Sequence, residues 1–386
     1  MLTTRSLLVA AAAADVIHVD ATYKLNWQGY PVLIAGVTDA ASQFFPCIFA
    51  VMTSEKEGDY TSLLRVMKDE VEKATQQTFA PRVVMGDCAE AVTRAAEAVF
   101  PDAARRVCWF HVKKAIDGRL RGEDKEWRGM VLGDLEKVQL SATPEQFDHS
   151  FDLMCERWLS SSWPSACDFV TYIRTQYRTK NSGWFEGFDL RSPSTNNAIE
   201  SFNGQIKARH TIRERAPVGR FLRTALDMVS EWAAEHGERR VFQSDPPVHL
   251  SVQTAAWQWI TKGQRCFTSG ARTYVPAGDR ESVSRDEALH YDEVMSGSTP
   301  VTFGELMQVR FSTWLMEDRG GEGTERSIRD LTCTCPPYLK KSMCKHVVAA
   351  AITAGWIMVS ERAKDVPLGQ KRKRGRPALA RPALLH

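Results

Sequence analysis

Long apolar runs, a strong net charge and a regular cysteine framework are all missing from this sequence of 386 residues. Its longest apolar stretch, residues 7–14, is far shorter than the ~20 residues of a membrane-spanning helix, so we expect no membrane partner. With 43% hydrophobic and 25% charged residues, the chain is neither collagen-like nor wholly disordered. The odd number of cysteines, nine, argues against a disulfide scaffold and favours reduced thiols or a metal site.

The sequence does contain alternating strand and helix patterns. Apolar, β-rich runs predict strands over 16–20, 31–38, 44–52, 82–86 and 106–109, and amphipathic patterns predict helices over 59–75 and 89–100. This order, β-β-β-α-β-α-β, predicts an α/β fold with a mixed sheet. Helical patterns continue over 120–190, and a further helix is predicted to begin at 195–197 and run towards 236.

Changes in composition divide the chain into five parts. We expect an N-terminal leader over 1–14, a core over 15–240 with a helical part at about 120–190, a linker region over 241–300, a cysteine-bearing unit over 301–357 and a basic, disordered tail over 358–386. The leader imitates a short signal peptide. The alternative, which we favour, is a helix that leads into the first strand.

Three of the nine cysteines lie close to a histidine near the end of the chain. Cys333, Cys335, Cys344 and His346 form the pattern C-x-C-x8-C-x-H. Two cysteines at positions i and i+2 of a strand point to one face, and the chain can return with the other two ligands to close a tetrahedron. Four protein ligands leave no open position, so the pattern predicts a structural zinc site. The alternative is three buried thiols and a chance histidine.

Two aspartates directly follow apolar strands. Asp20 ends the run 16–19, and Asp87 ends the run 83–86. A carboxylate at a strand end is either a turn former or a metal ligand, and each aspartate taken alone is more often a turn former. If the two strands are neighbours, these side chains converge at one edge of the sheet. We interpret Asp39 as a turn residue.

A third acid, Glu200, lies on the helix that is predicted to begin near 195. The buried stripe of this helix is predicted to be Ile199, Phe202 and Ile206, and the face of Glu200 also carries Asn203 and Lys207. That face offers an acid for a metal ion and a lysine for a phosphate. The alternative is the solvated side of an ordinary amphipathic helix.

Several short segments carry a family resemblance. They are DATYK (20–24), VVMGD (83–87), CWFH (108–111) and TNNAIES (195–201), followed by the cysteine and histidine pattern. In this order the segments resemble the Mutator-like (MULE) transposases, and the final pattern resembles the SWIM zinc finger. The likeness spans roughly residues 15–355. It implies a ribonuclease H-like core with a helical insertion between the second and third acids.

The resemblance also implies roles for individual residues. Asp20, Asp87 and Glu200 match the acids that hold two Mg²⁺ or Mn²⁺ ions and catalyse DNA strand cleavage and strand transfer. Double-stranded DNA, as transposon ends and as target, is the implied partner, and a homo-oligomer is also expected. Cys108 and His111 match the family's C-x-x-H motif, for which a packing role and a metal role both stay open.

Two other functions compete with the transposase. Members of the family usually carry an N-terminal zinc-binding DNA-recognition domain, whereas about fifteen residues precede the first strand here. A domesticated, catalytically silent DNA-binding regulator is therefore the leading alternative. The other alternative is a zinc-dependent interaction module in which the core serves only as a scaffold.

Basic residues cluster after the second and the third acid. The first cluster is Arg105, Arg106, Lys113, Lys114, Arg119 and Arg121, and the second is Lys207, Arg209, His210, Arg213, Arg215, Arg220 and Arg223. Such runs are usually solvated helix faces. Beside a centre that cleaves phosphodiesters, they favour a DNA-binding groove.

The segment KRKRGRP (371–377) resembles both a nuclear localisation signal and an AT-hook core. In an AT-hook, Arg374 and Arg376 would enter a narrow minor groove, where the negative potential is greatest. We therefore expect a nuclear protein whose tail adds DNA affinity. The alternative is a tail that only improves solubility.

Overall fold

A five-stranded mixed sheet organises the first part of the computed structural model, which describes residues 1–238, 242–320 and 326–364. Its strands are β1 (Val16–Thr22), β2 (Val32–Thr38), β3 (Phe44–Val51), β4 (Val83–Gly86) and β5 (Ala104–Val107). The spatial order is β3-β2-β1-β4-β5, in which β1, β2 and β3 pair antiparallel while β1, β4 and β5 pair parallel. The predicted mixed α/β fold is confirmed.

Helices cover both faces of this sheet. On one face lie α1 (Arg5–Ala12), α2 (Glu57–Thr75) and α3 (Glu90–Val99), and on the other lie α8 (Asn197–Gln205) and α9 (Val218–Glu238). Strand β2 is buried along its whole length because its alternate residues contact opposite helical layers. Helix α1 buries Leu7 and Leu8, so residues 1–14, predicted as a leader, include part of the folded core.

Helices dominate the segment predicted to be helical. They are α4 (Trp109–Arg119), α5 (Lys125–Gln139), α6 (Pro144–Leu159) and α7 (Ala166–Ile173), the last continuing as a π-helix over Arg174–Lys180. Helix α6 begins after Thr143, whose hydroxyl accepts a hydrogen bond from the backbone N–H of Gln146. These helices pack around a second hydrophobic core, in which Trp127, Trp158 and Trp184 are the largest fully buried side chains.

The single helix predicted from 195–197 towards 236 is wrong. Helix α8 ends at Gln205, a π-helix covers Ile206–His210, and α9 begins only at Val218. Between them Ile212 and Arg213 have positive φ angles of 50° and 59°, which no α-helix accommodates. Pro217 disfavours a helical conformation for the residue before it, so the chain turns back before α9.

The segment 241–300 is not the linker that the sequence predicts. It contains α10 (Leu250–Thr261), β6 (Phe267–Ser269), β7 (Arg272–Pro276) and α11 (Arg285–Met295). Strands β6 and β7 join β8 (Thr313–Asp318) and β9 (Leu331–Cys333) in a four-stranded antiparallel sheet. The turn-rich sequences around 245 and 297 therefore lie on either side of folded elements, and amino-acid composition alone does not indicate those elements.

The remaining helices surround the cysteine-bearing segment. They are α12 (Phe303–Ser312), α13 (Pro336–Lys341), α14 (Lys345–Thr353) and α15 (Glu361–Lys364). The short helix α15 begins the part that was predicted to be a disordered tail, and residues 365–386 lie outside the described residues. Among the described residues, no helix is both long and apolar enough to cross a membrane.

Candidate catalytic and zinc-binding sites

The four predicted zinc ligands come together near the end of the chain. Cys333 ends β9, Cys335 and Cys344 cap the starts of α13 and α14, and His346 lies in the first turn of α14. All four side chains are buried, and their ligand atoms lie within 4.8 Å of one another. His346 Nδ1 lies 3.7 Å from Cys333 Sγ and 3.8 Å from Cys344 Sγ. This arrangement fits the thiolate and imidazole ligands of a tetrahedral zinc ion.

Hydrogen bonds and aromatic rings shape the zinc cluster. Burial opposes ionisation of Cys344, but hydrogen bonds from Cys333 and Cys335 lower the pKa of its thiol well below the usual value. Cys344 Sγ also accepts the backbone N–H of Val347 at 3.5 Å. The rings of Trp259 and Trp314 lie 5.6 and 5.2 Å from the His346 ring and exclude water from it.

Strand register brings Asp20 and Asp87 to the same edge of the five-stranded sheet. Strand β1 pairs with β4 so that His18 lies opposite Met85. Two further steps in this register place Asp20 opposite Asp87, the residue directly after β4. The two aspartates therefore lie at the same edge of the sheet, as the sequence predicts, and the charge of Asp87 acts on Asp20.

Helix α8 brings Glu200 to these aspartates. Its buried side chains are Ile199, Phe202 and Asn203, and Ile206 follows in the π-helix, so the predicted apolar stripe is confirmed. Asn203 Nδ2 donates a hydrogen bond of 2.7 Å to Asp20 Oδ2. Glu200 lies one turn before Asn203 on the same face of α8.

Charge repulsion and burial act on Asp20. Burial raises the pKa of its carboxyl, and the negative charges of Asp87 and Glu200 raise it further, to about 7. The backbone N–H of Ala21 and the side chain of Asn203 act in the opposite direction. Among the described residues, the three acids do not form a group with every ligand atom within 4.8 Å, although Asp87 and Glu200 are near enough for their charges to act on Asp20.

Two comparisons with known families bear on these sites. A model of the MULE transposase domain matches residues 16–115, and a model of the SWIM zinc finger matches residues 311–355. The chain contains a MULE transposase domain and a SWIM zinc finger. A search of curated proteins found no match. The matched MULE region includes Asp20 and Asp87, while Glu200 lies beyond it.

The C-x-x-H motif of the MULE domain lies next to the third acid. Cys108 caps the start of α4, and its Sγ lies 4.0 Å from Glu200 Oε1. His111 Nδ1 lies 3.7 Å from the same oxygen. These three ligand atoms lie within 4.8 Å of one another. A contact between this motif and Glu200 was not expected from the sequence.

Asn196 anchors the start of α8, a role that sequence reasoning missed. Its Oδ1 lies 2.8 Å from His18 Nδ1, its Nδ2 donates to the carbonyl of Val19 at 3.1 Å, and its backbone N–H donates to Cys108 Sγ at 3.2 Å. Burial lowers the pKa of His18 to about 4, so the imidazole is neutral at pH 7. Its Nε2 lies 2.9 Å from the Thr38 hydroxyl. The signal in the sequence is an asparagine at the predicted start of this helix.

The first basic cluster is only in part the cationic surface that the sequence predicts, since Lys114, Arg119 and Arg121 are exposed but the other members are at least half-buried. Arg106 is buried and lies 3.6 Å from Glu186, whereas Arg105 is half-buried and donates to the carbonyl of Asp87. Each arginine satisfies backbone carbonyls inside the fold, because a buried guanidinium needs acceptors. Of the others in this cluster, Lys113 pairs with Glu136 and Arg119 lies over the ring of Tyr172.

The second basic cluster does face solvent. Lys207 is half-buried in the π-helix after α8, and the exposed arginines that follow it are Arg209, Arg213, Arg215, Arg220 and Arg223. None of these arginines forms an ion pair with a residue that the structure describes. The predicted DNA contacts Arg374 and Arg376 lie outside the described residues.

An aromatic loop lies beside this second cluster. The loop between β1 and β2 exposes Tyr23, Trp27 and Tyr30, and the side chain of Trp27 is 65% exposed. The backbone N–H of Trp27 donates to the carbonyl of Ala216 at 2.9 Å, which attaches the loop to the segment between α8 and α9. Sequence reasoning did not single out these aromatics.

Proposed function

We propose that this protein is a DNA transposase that cleaves and joins DNA strands with divalent metal ions at Asp20, Asp87 and Glu200. The proposal rests above all on the convergence of these acids from two neighbouring strands and one helix. The spatial order β3-β2-β1-β4-β5, with the first three strands antiparallel, supports a ribonuclease H-like core. The MULE transposase domain at 16–115 supports the reaction class.

The donor set at this edge of the sheet fits a hard cation. Carboxylate oxygens are the ligands that Mg²⁺ and Mn²⁺ prefer. Asn203 Oδ1 is buried without a hydrogen-bond partner among the described residues, so a further free oxygen lies on the side chain that contacts Asp20. When bound, two such ions supply an activated water and neutralise the charge that develops on the leaving oxygen.

The residues of the chain hold this site in shape. Asp20 is fixed by a paired strand, and Asn203 orients its carboxylate through a 2.7 Å hydrogen bond. Asp87 directly follows β4, and its carboxylate accepts the backbone N–H of Ala89 at 3.0 Å. Asn196 attaches the start of α8 to β1, which sets the position of Glu200 one turn later. Rigid positioning of this kind lowers the barrier for in-line attack on a phosphodiester.

The surface beside the acids suits DNA. Unpaired arginines such as Arg209 and Arg213 neutralise phosphates, and their contribution depends strongly on salt. Trp27 offers a flat apolar face on which an unstacked base can rest. We therefore place the DNA backbone along the segment between α8 and α9, with its scissile phosphate at the acids.

Cleavage of DNA tests this proposal directly. We expect purified protein to nick duplex DNA and to join the freed 3′-OH to a second duplex with Mg²⁺ or Mn²⁺, but not with Ca²⁺. The alternative is a DNA-binding regulator without catalysis, which the unpaired arginines would serve equally well. Salt-dependent DNA binding with no cleavage in any metal would favour this regulator. Absence of both activities would favour an interaction module built on the zinc finger.

We also propose that the protein acts in the nucleus. The support is the sequence KRKRGRP (371–377) alone. Deletion of these residues is expected to abolish nuclear accumulation of a fluorescent fusion. If nuclear accumulation is unchanged by the deletion, the segment serves only to improve solubility.

A further inference from the structure

Three metal-binding side chains from distant parts of the sequence meet outside the zinc finger. They are Cys108 before α4, His111 in its first turn and Glu200 on α8. Glu200 Oε1 lies 3.7 Å from His111 Nδ1 and 4.0 Å from Cys108 Sγ. In the zinc finger of this same chain, the histidine nitrogen lies 3.7 and 3.8 Å from two of the sulfurs. The two groups thus have similar ligand spacing.

The Cys108 sulfur lies in a setting suited to a metal thiolate. It accepts the backbone N–H of Asn196 at 3.2 Å, and the backbone N–H groups of Phe110 and His111 also favour the charged form. Burial nevertheless keeps the pKa of this thiol raised, so the proton stays on in the absence of a cation. A thiophilic cation supplies the positive charge that a buried thiolate lacks.

The other two donors lie on side chains that are partly exposed to solvent. His111 Nδ1 is buried and has no hydrogen-bond partner among the described residues. The side chains of His111 and Glu200 are 29% and 30% exposed, which leaves a path for an ion to enter. A sulfur, a nitrogen and a single carboxylate oxygen select Zn²⁺ or Co²⁺ and not Mg²⁺.

We propose that Cys108, His111 and Glu200 form a second metal site that binds a thiophilic divalent cation such as Zn²⁺. The Cys108 S–H loses its proton to solvent, and the sulfur, His111 Nδ1 and Glu200 Oε1 become the three protein ligands. The fourth position is open, so this ion binds less tightly than the one in the four-ligand zinc finger. The site itself does not depend on the proposed cleavage activity.

Sharing Glu200 has a consequence that does rest on the proposed function. The same carboxylate is the third acid beside Asp20 and Asp87. A thiophilic ion bound to Glu200 neutralises the carboxylate charge that this residue would otherwise contribute beside the two aspartates. Occupation of the second site therefore opposes binding of Mg²⁺ at the catalytic acids.

Cobalt titration of the full chain, with zinc kept in its finger, tests the site without any DNA. We expect one Co²⁺ per chain to give tetrahedral d–d absorption and a sulfur-to-cobalt charge-transfer band. Zinc measured in the same sample should stay constant. In Cys108→Ser the charge-transfer band should disappear, and in His111→Gln the affinity should fall at least about tenfold.

Controls separate this site from other thiols. Cys167 is exposed and lies outside both ligand groups, so Cys167→Ser should bind Co²⁺ as the wild type does. Because His111 is half-exposed, the His111→Gln variant should fold normally. This variant therefore tests the site even if Cys108→Ser fails to fold. Absence of a cobalt signal in wild type, or a signal unchanged in His111→Gln, would overturn the proposal. Neither result depends on whether the protein cleaves DNA.

Discussion

Asn203 on α8 donates a 2.7 Å hydrogen bond to Asp20 on β1, across 183 positions of the sequence. This bond joins the helix that carries Glu200 to the strand that carries the first acid. It also opposes the rise in the pKa of Asp20 that burial and the neighbouring acids cause. One amide therefore contributes both to the geometry and to the electrostatics of the candidate centre.

The raised pKa of Asp20 predicts a pH dependence of metal binding. A carboxyl with a pKa of about 7 is largely protonated below pH 7 and ionised above it. A proton and a metal ion compete for the same oxygens, so affinity for Mn²⁺ should fall about tenfold between pH 8 and pH 6. Calorimetric or spin-resonance titration of Mn²⁺ measures this directly.

Asn203→Ala provides the matched variant. Loss of its hydrogen bond removes an interaction that lowers the pKa of Asp20, so the midpoint of the pH dependence should move upward. An affinity for Mn²⁺ that is the same at pH 6 and pH 8 would show that Asp20 is not a ligand. A midpoint that moves downward in Asn203→Ala would show that the amide does not stabilise the carboxylate.

The anchor at Asn196 predicts a local stability effect. Asn196→Ala removes buried hydrogen bonds to His18 Nδ1 and to the carbonyl of Val19. A buried group that loses its partner costs about 1–3 kcal/mol, so the free energy of unfolding should fall by about 3 kcal/mol. Chemical denaturation measures this loss.

Asn197 is the control, since it is exposed at the first position of α8. Asn197→Ala should change stability by less than about 0.5 kcal/mol. Equal effects of the two substitutions would show that the contacts of Asn196 with β1 contribute little.

The zinc finger predicts one ion that resists dialysis. Structural zinc sites contribute on the order of 10 kcal/mol to folding, so Cys335→Ser combined with Cys344→Ser should release this ion and unfold the finger. Elemental analysis and circular dichroism measure the two effects. Cys266→Ser, at a half-buried thiol outside the cluster, should retain the ion. Zinc content unchanged in the double variant would exclude these ligands.

The exposed arginines predict salt-dependent binding of DNA. Each phosphate contact contributes about one unit to the slope of log affinity against log salt. Arg209→Ala combined with Arg213→Ala should therefore reduce this slope by about two. Fluorescence anisotropy with labelled duplex DNA at several salt concentrations measures it.

Arg65 gives the matched control for this surface. It is exposed on α2, which covers the opposite face of the sheet, so Arg65→Ala should leave the slope unchanged. A similar reduction in Arg65→Ala and in the double variant would mean that DNA contacts the protein without using the proposed surface.

The limits of prediction from this sequence have physical causes. Strands were predictable where apolar runs end at an acid, as at Asp20 and Asp87, because burial on both faces leaves a clear pattern. The ligand spacing of the zinc finger is local and was equally clear. The turn at Ile212 and the folded segment 241–300 depend on tertiary contacts that no local pattern shows.

Charged residues were the hardest to place from the sequence. Arg105 and Arg106 looked like part of a cationic surface, yet both bind carbonyl groups inside the fold. Burial of a guanidinium depends on acceptors from distant loops, such as the carbonyl of Asp189. The contacts of Cys108 and His111 with Glu200 likewise depend on a long-range arrangement.

The central claim is that Asp20, Asp87 and Glu200 form one catalytic centre. The most direct measurement is Mg²⁺-dependent nicking of duplex DNA by Asp20→Asn, Asp87→Asn and Glu200→Gln beside wild type. Asp102→Asn is the control, because Asp102 is exposed before β5 at the opposite edge of the parallel strands. Asp39, whose carboxylate accepts the backbone N–H groups of Ala41 and Gln43, is unsuitable for this purpose.

We predict that each of the three substitutions reduces the nicking rate at least about a thousandfold, since each removes a ligand on which transition-state stabilisation depends. The zinc ion of the finger and the folding should be unchanged, and Asp102→Asn should nick as wild type does. Nicking that survives Glu200→Gln, or that is lost equally in Asp102→Asn, would contradict the assignment of these three acids.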